Sequence, residues 1–314
     1  MASGAAQRQI ITFTPLGIND LPAHPDLQTH QPNNPPTARA FLALVFAAAH
    51  AWDISAWPKN RRDHRQIIGG CEVVVERCGL KTDEGVWCGR RSRHVHGEPV
   101  REDELDDALR INHAEREREY ADAVFDANVL VEWQEGGLEG EGGDGGVRWS
   151  DGTIQIVETF HELSKIGLPE ARVFTMLLIT GTIHAPTASE LCVIQIPIDI
   201  SSLPPTVLQR CHRHFPPTNS TTSMLYLSPT TPITPQQAAK TRAKLTEGRY
   251  LSIEKVRKSD SSGTASGSFE WHMSTISDAG GALPRPLQNL FVPHKITQDV
   301  GDVFEWILKS RAPT

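Results

Sequence analysis

Four titratable side chains stand in runs whose apolar residues alternate, the setting in which a polar group faces either the interior or solvent. Glu158 and His161 lie in residues 154–163, Glu254 in residues 249–257 and His272 in residues 269–275. In an extended strand, positions three apart point to opposite faces. Glu158 therefore shares a face with Ile154, Ile156 and Phe160, and His161 with Gln155, Val157, Thr159 and Leu163. With the more apolar face inward, Glu158 is buried and needs a partner or a proton. Arg91 and Arg93, in residues 86–95, are candidate partners, with an ordinary salt bridge at a sheet edge as the competing reading. Glu254 and His272 fall on successive runs, where a cross-strand pair is possible. Gln195 is the lone polar residue in LCVIQIPI. It could hydrogen-bond a bound oxygen or satisfy neighbouring backbone.

Other chemistries lack their residues. His94 with His96, and Cys211 with His212 and His214, have no second ligand pair at zinc spacing, so no metal is expected. No G-x-S-x-G elbow, phosphate loop ending in Lys-Ser/Thr, or H-E-x-x-H is present. The glycine-rich stretch EGGLEGEGGDGG at 135–146 is acidic and would repel phosphate. The formal charge of −7 offers no positive field for nucleic acid. Five irregularly spaced cysteines fit free thiols. The apolar run 38–51 is too short to span a bilayer, and the first 21 residues have no signal-peptide pattern. A cytoplasmic protein is expected.

Several elements must position these groups. Phe41, Leu42, Val45, Phe46 and Ala49 recur at helical spacing, which predicts a core helix over 38–53. A short strand is predicted around 86–92. Residues 101–133 are dense in charge and helix formers and read as a solvated helix with a break near Asn112 and His113. Period-two runs at 154–163, 171–184 and 191–198, joined by short connections, predict an antiparallel meander. The proline-rich insert 201–247 includes a candidate helix at 236–245. Strands at 249–257 and 269–275 follow, then a helix over 284–310, in two parts divided near Pro293, with Val300, Val303, Phe304 and Ile307 on one side.

The segments FEWHMSTISDAGGALPRPLQN and ITQDVGDVFEWI, with WCGRRSRHVH and EYADAVFDANVLVEW before them, resemble the START superfamily, in particular its fungal START-like branch of uncharacterised function. The Ser-Asp-Ala-Gly-Gly-x-x-Pro turn feeding the last helix is the most specific part. The likeness covers most of residues 85–310. It implies an α+β helix-grip fold, a twisted antiparallel sheet closed by the C-terminal helix around an apolar cavity. A single domain over 38–314 is expected, with inserts at 135–146 and 201–247, after an irregular segment 1–37. The resemblance further implies that a hydrophobic small molecule (lipid, sterol, or polyketide- or terpenoid-type metabolite) sits in an interior tunnel, with the protein as carrier or sensor. The alternative is a cofactor-free cyclase or isomerase of secondary metabolism. Glu158 and His272 are then the candidate acid/base groups, and Arg91, Gln195, Glu254, Trp271, Met273 and Phe304 the candidate ligand-binding ones. No cofactor is implied, and 201–247 with the turn at 277–283 should flank the tunnel mouth.

Overall fold

Thr37 caps the first helix, α1 (Ala38–Ala51), its Oγ1 accepting from the Ala40 amide at 3.2 Å. The expected stripe is buried as a unit, Phe41, Leu42, Val45, Phe46 and Ala49 all being at most 1% exposed. The computed structural model describes residues 10–60, 62–133, 137–142, 146–163, 170–185, 188–215, 223–227, 243–259, 267–281 and 285–311.

After α1 come β1 (His64–Ile68), β2 (Cys71–Lys81), β3 (Val86–Val95), α2 (Glu102–Arg110), α3 (His113–Tyr120), β4 (Val124–Glu132), β5 (Leu138–Gly142), β6 (Val147–His161), β7 (Ala171–Ala185) and β8 (Ala188–Pro197). Then follow α4 (Pro205–Leu208), β9 (Arg213–His214), β10 (Leu225–Tyr226), β11 (Leu245–Ser259), β12 (Ser268–Asp278) and α5 (Arg285–Ser310). Nine strands run in the order β1-β2-β3-β12-β11-β8-β7-β6-β4, each antiparallel to its neighbour, and β5 adds to β6. The sheet does not close into a barrel; β1 and β4 end the path.

Both faces are covered, which explains why β7 and β8 read as continuous apolar runs. One face packs Ile154, Ile156, Leu177, Ile179, Ile194 and Ile196 against α1 and residues 10–37. Those residues are irregular apart from a short 3-10 turn, yet they bury Ile11, Phe13, Leu16, Leu21 and Leu27 in the same core. The opposite face packs Val157, Met176, Leu178, Val193 and Trp271 against α2 and the Val300, Val303, Phe304 and Ile307 stripe of α5. The sheet gripped by the last helix is the helix-grip arrangement, and the meander β6-β7-β8 is as expected.

Several expectations are corrected. Residues 124–132 form an edge strand, not a helix, because β-branched and aromatic side chains there pack against β6. The break expected near Asn112 and His113 is present: Asn112, in the left-handed region at φ 49°, separates α2 from α3. The glycine stretch includes β5, and Leu138 is buried beneath it. Pro293 does not divide the last helix; α5 is continuous, and the hydroxyl of Thr297 donates to the His294 carbonyl at 2.8 Å one turn on. Of the candidate helix at 236–245, residues 236–242 lie outside the described residues, and Leu245 opens β11.

At the strand-to-helix turn, Gly280 has φ 66° and a Cβ there would lie 2.0 Å from the Glu247 carbonyl oxygen. The Asp278 carboxylate accepts from the Gly280 amide at 3.0 Å. Gly280→Ala is expected to cost more than about 1 kcal/mol, since both φ and space forbid the methyl. A urea transition superposing on that of the parent would refute this account of the turn.

Candidate ligand cavity

A cavity of about 750 Å³ lies between the face of the sheet under α5 and the helices α3 and α5. Alternation along β3 aims Arg90, Ser92 and His94 to this side, each at most 4% exposed, and sends Arg91 and Arg93 to the other. Strand register then sets Arg90, Met273 and Glu254 in one row across β3, β12 and β11. Arg90 Nη2 donates to Glu254 Oε1 at 2.7 Å, and Trp271 Nε1 donates to the same oxygen at 2.8 Å. The guanidinium also lies 4.1 Å over the Trp271 ring, a cation–π contact. In the next row inward, Ser252 Oγ donates to Gln195 Oε1 at 2.6 Å.

Leu109, His113, Glu117 and Tyr120 recur at spacings of four, four and three and turn one stripe toward the cavity. His113 Nδ1 lies 2.7 Å from the Leu109 carbonyl and must donate to it. Its Nε2 is then the acceptor facing the Gln195 amide nitrogen at 3.5 Å, an assignment made from the network. Glu117 Oε2 is buried with no hydrogen-bond partner. Burial, with Asp299 and Glu254 nearby, pushes its carboxyl up to about 8. Opposite, Lys295 of α5 lies 3.0 Å from both Asp299 and Asp302. Although burial opposes its charge, those carboxylates hold the Lys295 ammonium above its ordinary value. Tyr250 donates to the Met176 sulfur at 3.0 Å, and Thr159 Oγ1 lies 3.0 Å from His161 Nε2.

These groups fix a pH dependence. Burial pushes His94 and His113 down to about 4 and His161 to about 3. Lowered folded values contribute stability that is complete above the unfolded value of about 6.5 and is lost as pH falls. Glu117 acts in reverse. Its raised value favours the folded state fully below the unfolded 4.5, and that contribution is lost as pH rises to about 8. Burial also raises Glu254, with the same sign. Stability is therefore expected to peak near pH 6.5, each proton of difference being worth about 1.4 kcal/mol per pH unit. Urea midpoints at pH 5, 6.5 and 8 check this; a monotonic trend would contradict it.

Of the residues singled out in the sequence, Gln195, Glu254, Trp271 and Met273 line the cavity. Phe304 is fully buried beside it, stacked on Trp271 at 5.6 Å and edge-on to His94 at 4.8 Å, beneath α5 and off the cavity wall. Arg91, Glu158 and His272 face the other side of the sheet. Arg91 donates to Glu76 at 2.6 Å. His272 sits opposite Lys255, 3.2 Å from Glu270, so it does not pair with Glu254. Glu158 is fully buried but its partner is Arg213, whose Nε donates to it at 2.6 Å; the His212 amide donates at 3.0 Å. Arg93 pairs instead with Glu270. The more apolar face of β6 is indeed interior, but against α1 and the 205–214 segment. The turn residues Ser277 and Ala279 line the cavity, whereas Arg213 and Tyr226 of the insert pack on the far face. Sequence reasoning missed Arg90, His113, Glu117, Tyr120, Tyr250 and Lys295.

An open antiparallel sheet gripped by a C-terminal helix, with a cavity beneath, defines a START-like fold. The chain belongs to the family described as Protein of unknown function (DUF3074), whose model matches residues 87–307. Comparison with curated proteins finds no match. Similar solved structures include human StAR-related lipid transfer protein 5, at 10% identity and TM-score 0.46, covering 86% of this chain and 94% of that one. Human STARD10 is similar at 12% identity and TM-score 0.42, over 85% and 78% of the two chains. The human StarD13 (DLC2) lipid transfer and protein localization domain is similar at 10% and 0.39, over 83% and 93%. Likenesses at this level carry no argument about what the cavity holds. Among the described residues, no helix is long and apolar enough to cross a membrane.

Proposed function

We propose that this protein binds a hydrophobic small molecule, of the lipid, sterol, or polyketide- or terpenoid-type class, in the cavity under α5, as a carrier or sensor. The observation that supports it is the cavity itself. Its volume of about 750 Å³ falls within the range of small-molecule sites. Phe174, Tyr250, Trp271, Met273 and Ile296 give it an apolar wall, while Arg90, Gln195 and Glu254 supply convergent polar groups that orient a ligand. The expected result is a mass retained on the purified protein in native mass spectrometry after exposure to a lipid and metabolite extract. Failure to retain any component at any loading would overturn the reading.

A second reading, a cofactor-free cyclase or isomerase, is favoured by Glu117. A carboxyl held protonated near neutral pH beside an apolar wall is suited to general-acid chemistry. Turnover of this type leaves the ligand mass unchanged and alters its chromatographic retention; a retained ligand recovered with unaltered retention counts against it.

A further inference from the structure

We infer that the cavity selects hydrophobic ligands carrying a positively charged nitrogen, received by the carboxylate of Glu117. This rests on the cavity reading above and specifies its ligand. The argument is one of missing positive charge. Among the described residues, seven carboxylates, Glu117, Asp122, Glu162, Glu254, Asp299, Asp302 and Glu305, line the cavity together with two Lys or Arg side chains, Arg90 and Lys295. Lys295 is engaged by Asp299 and Asp302 at 3.0 Å, and Arg90 is paired through Nη2 with Glu254 at 2.7 Å, its Nε and Nη1 having no hydrogen-bond partner. Glu117 is left over, with Oε2 buried and unpartnered.

A buried acid without a counter-charge keeps its proton, because the ion would be desolvated in the field of its neighbours. The groups facing Glu117 supply that field: Asp299 and Lys295 from α5, Glu254 and Tyr250 from β11, and Tyr120 from its own helix. The rest of the charged and titratable lining is Arg90 of β3, His113 of α3, His161 of β6, His64 of β1, His294 and Glu305 of α5, and Asp122 and Glu162. Burial also raises Glu254 and Asp302, so the unmet demand is shared across the wall. A ligand cation would satisfy it. The rings of Tyr120 and Tyr250 line the same cavity, and such faces accept cations.

Proton linkage gives the inference a sign. A cation binds the ionised carboxylate, so its affinity rises as pH climbs toward the free carboxyl's value. A neutral ligand that accepts a hydrogen bond from protonated Glu117 has the opposite dependence. Dodecyltrimethylammonium, dodecylamine and dodecanol share a chain length and differ in head group, and calorimetry below their micelle-forming concentrations compares them at pH 6 and 8.5. The two ammonium probes are expected to bind at least about tenfold tighter at pH 8.5, and dodecanol no tighter. A preference for dodecylamine over the quaternary probe would identify an N–H-donating ammonium as the form received; comparable binding would identify charge alone. In Glu117→Gln, an isosteric change whose fold is checked by its melt, the preference for ammonium over alcohol should fall to within about twofold. Dodecanol binding as tightly as the ammonium probes at both pH values would overturn the inference and leave the cavity reading standing. So would pH-dependent tightening that survives in Glu117→Gln. No binding by any of the three overturns the cavity reading itself, and the inference with it.

Discussion

Arg213→Met is expected to lower the free energy of unfolding by about 3–5 kcal/mol, the usual cost of leaving one member of a buried ion pair without its partner. Both side chains are fully buried, and Arg213 Nε reaches Glu158 at 2.6 Å while Nη1 reaches Glu247 at 2.9 Å. Methionine fills much of the arginine's volume, so the loss reports mainly the stranded charge of Glu158. The remaining donors to that carboxylate, the His212 amide and Asn128 Nδ2, are neutral. The double variant Glu158→Leu/Arg213→Met removes both charges and should recover most of the loss, since apolar replacement of a whole buried pair is often neutral. Urea midpoints at constant slope measure each variant. A single variant within about 1 kcal/mol of the parent would show that the pair is not isolated from water as described.

Phe304→Ala should cost about 3–5 kcal/mol, as deletion of a fully buried aromatic side chain does. The cost has two parts, the lost burial and the void left where Trp271 and His94 now meet the ring. Because Trp271 also holds Glu254 in place, loosening it should weaken ligand binding as well as stability. Lys309→Ala, at an exposed position on the same helix, is the control and should change stability by less than about 0.5 kcal/mol. A Phe304→Ala melt that overlays the parent would mean that α5 does not pack on the sheet through this stripe.

How much was legible follows from periodicity. The α1 stripe, the β6-β7-β8 meander and the Asp278–Gly281 turn each carry their own signal, and the likeness at 269–308 supplies the closing helix. A sheet buried on both faces, however, erases the alternation that says which face is which. Glu158 was correctly read as interior, yet interior to the wrong layer, and the choice of Arg91 over Arg90 fell to the same ambiguity. Residues 124–132 interrupt the strand formers Val124, Phe125, Val129 and Val131 with Asp126 and Asn128, which breaks the alternation and leaves pairing with β6 to reveal the strand. Glu117 was hidden by its company: it stands in HAEREREY among Glu115, Arg116, Arg118 and Glu119, a run that reads as a solvated surface. The spacing from Leu109 through His113 to Tyr120 was the available clue. The β1–β2 hairpin went unread, although Gly69 and Gly70, at φ 56° and 81°, sit between two β-branched runs.

The seam between β3 and β12 joins residues 88–95 to residues 268–275, strands that lie far apart along the chain. Closing that seam means ordering a loop of well over a hundred residues, and the entropy involved is recovered only once the sheet is nearly whole. The local pairings of β6, β7 and β8 form early by comparison, and the zipping of β3 onto β12 comes late. Folding should then be slow, on the order of milliseconds to seconds, as for other non-local β topologies. Until the seam closes, the edges of β3 and β12 are open templates for pairing with other chains. The same wall that houses the cavity is thus the last part of the molecule to exist.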